Sequence, residues 1–417
     1  MIRRILVTSF AAALVGSALV AGPGSAVSDT VTIDGGSRAP SKDPRDLRVM
    51  TLNLYLGATI RPALVAAEKS LPEFLTAVAG VYREVQATDY PRRARWIART
   101  IAQARPDVVT LNEVTDWEAE SSTGVDLPEY HFLPTLRSEL RKQGMRYRVA
   151  ARVRDYDIGL SKTTGMPYVD PDVPGCDDPA DLLACTLRMK DSDVVLYNAR
   201  ARQLRVEPGS ARQGNYSDQM TFTVAGVTNS FNRGWASARF RYRGVPTSVI
   251  TSHIEIPSQD GRSGRLGPVN WPSAIQLAQG RELKTIARSE AARTGGRVIV
   301  AGDLNSDANG YFSPTYGLLT SSFLSDTWDQ LGLPSGPAVG ATCCQTSDLA
   351  DPRALANEEL EWPMRIDLVL THGADARWAA RLGTTRMGTS GGQPRWQSDH
   401  YFYAADVRLR ATKQGRG

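Results

Sequence analysis

Four short polar motifs stand in one order along the chain, each bordering or lying within an apolar, β-branched run. They are Thr51-Leu-Asn-Leu54, Leu111-Asn-Glu-Val114, Gly302-Asp-Leu-Asn305 and Ser398-Asp-His400. Short apolar runs of this kind read as buried strands, so each motif is expected at a strand end. Oxygen and imidazole groups carried at such ends can meet in space although they lie far apart in the chain.

The segments between them read as helices. Arg61 to Gln86 is helical in composition with an interruption near Pro72, and Tyr90-Pro91 introduces a helix from Arg92 to Ala104 whose Ile97 and Ile101 repeat at i and i+4. Pro106 ends that helix, and Asp107 to Asn112 is the next strand. The order repeats later, where a helix from about Trp271 to Thr294 stops at Gly295-Gly296 and Arg297 to Ala301 runs into Gly302-Asp303. Between them Asp193–Tyr197, Met220–Val224, Ala236–Tyr242 and Pro246–Ser252 read as successive, mostly antiparallel strands. Strands interleaved with helices indicate an α/β protein with a mixed sheet. The long stretches Tyr156–Met189, Glu255–Asn270 and Asn309–Leu360 are expected to carry recognition or to cover a site.

No linker divides residues 47–410, which read as one catalytic domain. Before it, residues 1–26 read as a secretory signal peptide: Arg3 and Arg4 precede an apolar stretch from Ile5 to Ala21, and Gly24 and Ala26 suit a signal-peptidase site. An N-terminal membrane anchor is the alternative for this stretch, which is short and ends at Pro23-Gly24. Residues 27–46 are a flexible leader and 411–417 a disordered tail. No other segment is long and apolar enough to span a membrane, so a soluble protein secreted from the cell is expected; a monomer is the expected state, though nothing in the sequence reports it. Without Arg3 and Arg4 there remain 47 Lys and Arg against 44 Asp and Glu, an excess too small to name a polyanionic partner.

Four cysteines fit an oxidising compartment. Cys176 and Cys185 close a short Asp/Pro-rich loop and form the expected disulfide; Cys343-Cys344 either close a vicinal ring or bridge to that loop. Zinc is the competing use, although no histidine lies at ligand spacing from either pair.

Several polar residues can carry chemistry. Glu113 at a strand end can bind a hard cation, and Mg2+ takes few carboxylates and keeps several waters. Asn53 can orient the metal or its water, unless it only ends its strand in a turn. In Gly302-Asp-Leu-Asn305 the glycine would admit a bulky phosphate, Asp303 would align or deprotonate water, and Asn305 would donate to charge developing on phosphorus. A Gly-Asp turn explains the glycine but not the asparagine. His400 can take or stabilise a proton, Asp367 can hold its tautomer, and Asp399 is free to serve the metal. His253, ending another apolar strand, can bind a phosphate oxygen or protonate a leaving group, or can be a satisfied core histidine.

Taken together, the motifs resemble the endonuclease/exonuclease/phosphatase superfamily from about Arg48 to Leu409, and the order Asn, Glu, His, Asp-x-Asn, Asp, Asp-His carries that resemblance. It implies a four-layer α/β sandwich, two mixed β-sheets packed face to face with helices outside. By the family pattern Glu113, Asn53 and Asp399 match metal or metal-shell positions. Asp303 and Asn305 match the pair that orients water and phosphate, His400 the catalytic histidine, Asp367 its partner, and His253 the phosphate-binding or acid histidine. The implied cofactor is Mg2+, with Mn2+ or Ca2+ as alternatives, and the implied reaction is in-line attack of water on a phosphoester. The mid-chain tyrosine of some nuclease members has no assigned match, Tyr197 and Tyr216 being candidates.

The expected substrate is a phosphodiester, in nucleic acid first or in a phospholipid head group with peripheral membrane contact; a phosphomonoester is third. Arg239, Arg241 and Arg243 alternate along one strand and could track a phosphate backbone, or form a solvated face. Arg92, Arg95 and Arg99 share a helical face, with the same two readings, and Arg233-Gly-Trp235 could add an aromatic rim. Gly310 to Tyr316 is the one apolar candidate for entering a membrane interface. A catalytically silent secreted binding module is the non-enzyme alternative.

Overall fold

A computed structural model describes residues 41–159, 165–224, 227–257, 274–310, 313–336, 338–353, 363–387 and 394–411. The signal peptide, most of the leader, residues 412–417 of the tail, the expected start of the helix at Trp271 and the centre of the Gly310–Tyr316 segment lie outside the described residues.

Two mixed sheets carry the site. The first runs in the order Ala374–Leu382, Phe402–Leu409, Leu47–Asn53, Val108–Asn112, Cys185–Asn198, Asp116–Ser121 and Tyr130–His131, with Tyr147–Ile158 and Met166–Pro167 also pairing with Cys185–Asn198. The second runs Ser325–Asp326, Asp367–His372, Val298–Asp303, Val245–His253, Gly234–Tyr242 and Leu204–Val206, with Arg212–Asn215 also on Gly234–Tyr242. One pair in each sheet is parallel, Leu47–Asn53 with Val108–Asn112 and Val245–His253 with Val298–Asp303.

Period-2 alternation sorts each strand between two cores. Leu47, Val49, Val108, Val153 and Val195 of the first sheet meet Ala238, Phe240, Val249, Ile299 and Val369 of the second. On its other face the first sheet turns Met50, Leu52 and Leu111 to a core that includes Val78 and Tyr82 of helix Leu71–Ala87, Ile97 and Ile101 of helix Tyr90–Ala104, and Leu136 of helix Phe132–Lys142. The outer face of the second sheet packs Ile250, Val298 and Val300 with Leu283 and Ala287 of helix Ala274–Arg293. Helices thus cover both sheets, and each apolar strand is buried on both faces.

Local chemistry sets the helix limits. The interruption near Pro72 separates Arg61–Ala67 from Leu71–Ala87, because Pro72 occupies the first turn of the second helix and Ser70 caps it by accepting from the Glu73 amide. Asp89 caps the next helix, which begins at Tyr90, two residues before the expected start. Two long strands are absent from the sequence reading. Tyr147–Ile158 mixes charged and apolar residues and is bulged, and Ala374–Leu382 has a register shift between Ala376 and Trp378. Met220–Val224 is a strand but pairs with Val227–Phe231 in a separate hairpin.

Cys176 and Cys185 are bonded to each other, and Cys343 to Cys344, so the vicinal ring is the pairing observed. The proposed arginine stripe does not form. The strand ends at Tyr242, Arg243 turns away with φ +51°, and Arg239 and Arg241 both face Glu207, at 3.5 and 3.1 Å. Arg95 and Arg99 are exposed on their helix, while Trp235 is buried rather than forming a rim.

Candidate active site

Parallel neighbours that finish level place their last residues side by side. Asn53 and Asn112 are register partners at the end of one parallel pair; His253 and Asp303 end the strands of the other. Asp367 begins the antiparallel neighbour directly opposite Asp303. The strand Phe402–Leu409 follows Asp399 and His400 immediately, so the last motif also enters at this edge. Just beyond the strand ends, Tyr55, Glu113 and Asn305 hold positive φ values of 59°, 54° and 44°. Non-glycine residues held there are uncommon and concentrate at functional sites.

Asp303 is the hub. Its Oδ2 accepts from Asn53 Nδ2 at 2.9 Å and lies 3.5 Å from His253 Nε2 and 3.7 Å from His400 Nε2. Oδ1 accepts from the Asn305 amide at 3.0 Å. Burial pushes the Asp303 carboxyl up to about 7; the His400 charge pulls against this and Asp367 adds to it.

His400 Nδ1 and Asp367 Oδ2 are 2.7 Å apart, so Nδ1 carries a proton and Nε2 faces Asp303. Burial lowers the imidazole pKa, but Asp367, Asp399 and Asp303 outweigh it and hold the ring well above its ordinary value. Thr342 Oγ1 accepts from the Asp367 amide at 3.0 Å, and Asp367 Oδ1 is buried with no hydrogen-bond partner.

His253 is set up in the opposite way. Arg233 Nη1 lies 3.0 Å from Nδ1 and 3.3 Å from Nε2, and Asn305 Nδ2, which also donates to the Ile254 carbonyl, lies 3.0 Å from Nε2, so donors meet the ring at both nitrogens. Burial first, then the Arg233 and His400 charges, hold His253 well below its ordinary pKa and keep it neutral. Arg233 is in turn flanked by Glu255 at 3.4 Å. One histidine is therefore cationic and the other neutral, which separates a charge-stabilising role from that of an uncharged imidazole.

Glu113 and Asp399 line a cleft of about 490 Å3 together with Tyr55, Tyr156, Arg233 and Glu255. Glu113 Oε2 accepts from the Leu56 amide at 2.7 Å, and Asp399 Oδ1 from Ser398 Oγ at 3.2 Å. Burial, with the Glu113 charge adding to it, raises Asp399 to about 6. Two carboxylates that repel across a cleft of this size fit a hard divalent cation with retained waters. Asn53 fits the family's metal-shell position differently: its amide is spent on Asp303 and on the Tyr55 amide, so its contact is with the hub. Asp303, Asp367 and His400 form a second group close enough to share an ion among the described residues.

The glycine of Gly302-Asp303 has another cause than the expected one. A Cβ there would lie 2.1 Å from the Ser252 carbonyl oxygen, so close strand packing, not a phosphate, demands it. Tyr216 is buried with its hydroxyl 2.6 Å from Ser252 Oγ, and neither it nor Tyr197 lines the cleft; Tyr55 and Tyr156 do.

Sequence reasoning missed several supporting residues. Asn112 Oδ1 accepts from the Asp303 amide and its Nδ2 donates to Asp193. Asp155, Asp191 and Asp193 lie behind it, fully buried, on Tyr147–Ile158 and Cys185–Asn198. Arg93 is 0% exposed, with Nη1 donating to the Leu54 and Gln397 carbonyls and Nη2 to that of Tyr55, so it ties the loop after Asn53 to the segment before Asp399. Its sequence signal was present and misleading, since Arg95 and Arg99 on the same helix are exposed and Arg92 is half-buried.

The model of the Endonuclease/Exonuclease/phosphatase family matches residues 50–400. No curated protein matches the sequence. Among solved structures, the human nocturnin catalytic domain is similar at 16% identity and TM-score 0.44, covering 87% of this chain and 93% of that one. A mannosyl-6-phosphatase from Bacteroides thetaiotaomicron is 13% identical with TM-score 0.49, covering 87% and 99%. An endonuclease/exonuclease/phosphatase family protein from the same organism is 12% identical with TM-score 0.49, covering 90% and 100%.

Proposed function

The chain belongs to the endonuclease/exonuclease/phosphatase family, and from that premise we propose that it is a secreted, divalent-metal-dependent hydrolase of phosphodiester bonds. The observation that carries the reading is one buried carboxylate, Asp303, ringed by Asn53, Asn305, a neutral His253 and a cationic His400.

Glu113 and Asp399 would hold Mg2+, or Mn2+ or Ca2+ in its place, and the ion would neutralise charge on the phosphoryl oxygens. Asp303, with a pKa brought near neutrality by burial, is suited to accept a proton from the attacking water. Asn305 Nδ2 and the neutral His253, 3.0 Å apart, would face the phosphoryl group together, and Arg233 would hold the imidazole ring in place. His400, held by Asp367, supplies positive charge beside the hub as negative charge develops.

A nucleic acid is the first carrier of this bond to test. A phospholipid head group is the second reading, and one observation favours it: Ile60, Leu64, Met220 and Phe231 form an apolar wall of the cleft. The deciding experiment is hydrolysis of bis-p-nitrophenyl phosphate, plasmid DNA and sphingomyelin vesicles by the protein with and without Mg2+. Turnover that EDTA and His400→Ala both abolish is the expected result. A folded, metal-loaded protein that cleaves none of the three would overturn the reading and leave the silent binding module.

A further inference from the structure

A second hollow adjoins the catalytic cleft. It holds about 70 Å3 between helices Arg61–Ala67 and Leu71–Ala87, the edge of the first sheet and the hairpin that carries Phe222 and Phe231. Ile60, Leu64 and Phe231 line both spaces, so the hollow lies directly behind one wall of the cleft that holds Glu113 and Asp399. Its lining is apolar throughout. The one lining side chain with a strong donor, Trp117, spends its Nε1 on the Leu56 carbonyl at 2.8 Å. A sugar, a nucleobase or a second phosphate would find no hydrogen-bond partner there and would lose its own hydration. Protein interiors otherwise close up around such space. Room for about five water-sized groups matches the end of a hydrocarbon chain.

Resting on the phosphodiesterase reading, we infer that the substrate carries a linear alkyl or acyl chain beside the scissile phosphoester, and that this chain enters the hollow past Ile60, Leu64 and Phe231. The phosphoester then sits over Asp303 while the tail is buried, so binding energy far from phosphorus positions the reacting bond.

The test is a series of p-nitrophenyl alkyl phosphodiesters from methyl to octyl, assayed with Mg2+ below their aggregation concentrations. Each methylene that enters the hollow should raise kcat/KM about threefold to fourfold, with a plateau once it is full. Ala63→Met, which fills the hollow from its helix, should lower the octyl-to-methyl ratio at least about tenfold. A flat series, or a ratio unmoved by Ala63→Met, overturns the subsite while the methyl ester still reports a phosphodiesterase. No hydrolysis of any member overturns both. In a second arm, dihexanoylphosphatidylcholine monomers are compared with long-chain phosphatidylcholine vesicles. Cleavage of monomers alone assigns the chain to a dissolved amphiphile, and cleavage of vesicles assigns it to a bilayer lipid.

Discussion

Asn112 Oδ1 accepts a hydrogen bond from the Asp303 backbone amide at 2.8 Å, across the gap between the two sheets. The hub carboxylate is thus positioned by a residue that itself touches no reacting group. Asn112→Ala should lower kcat about 10- to 100-fold with KM little changed, because a displacement of about 1 Å at the carboxylate that aligns the attacking water is that costly. Steady-state kinetics at saturating metal checks this, and an unchanged kcat would remove Asn112 from the positioning shell.

Asp303→Ala and His400→Ala should each lower kcat at least about 10^3-fold while far-ultraviolet circular dichroism stays that of the parent. Asp367→Asn leaves the packing and replaces the charge that holds His400, with a loss of roughly 10^2- to 10^4-fold. Near-normal rates in both alanine variants would sink the assignment of the hub.

Metal affinity should fall with acidity. Asp399 titrates at about 6, raised by burial and by Glu113, so protons compete with the cation below that pH. Apparent Kd for Mn2+, read by calorimetry, should rise up to about tenfold per pH unit below 6 and level off above it. Glu113→Ala should raise the metal concentration needed for activity before it reduces the maximal rate.

Buried acids make the metal-free chain more stable on the acid side. Burial first, with neighbouring acid groups adding to it, raises Asp155 and Asp193 well above the usual carboxyl range and Asp191 to about 7. The folded chain therefore retains protons that the unfolded chain releases above about pH 4, and stability falls as pH rises through that window towards the folded values. Asp155→Asn removes one of these acids and can donate to Asp193. It should exceed the parent by about 1–2 kcal/mol in urea melts at pH 8 and converge with it near pH 4.

Arg93→Met should destabilise by about 3 kcal/mol or more, since three carbonyls lose a charged donor in a dry environment. Arg93→Lys should rescue little, because an ammonium cannot span the positions that Nη1 and Nη2 reach. Thermal melts of the two variants against the parent decide it.

The strand ends were legible because each polar motif borders an apolar run, and the structure brings Glu113, Asp303 and His400 to one edge of the sheets. Gly302 was legible as a requirement but not as a cause, since the Ser252 carbonyl that crowds it belongs to another strand. Pairing partners remote in sequence are the common source of the misses. Nothing near Arg239 or Arg241 announces Glu207, and nothing near His253 announces that Arg233 will meet its Nδ1. The bulged strand Tyr147–Ile158 hid Asp155 because its mixture of charges matches no simple period.

Phe402–Leu409 lies between Leu47–Asn53 and Ala374–Leu382, so the first strand of the sheet waits for a neighbour made more than three hundred residues later. Asp399 and His400 arrive with that neighbour. A nascent chain still on the ribosome therefore has Asn53 and Glu113 without the residues that the fold sets beside them. The edge where the two sheets bring these residues together is complete only once the last strand has paired.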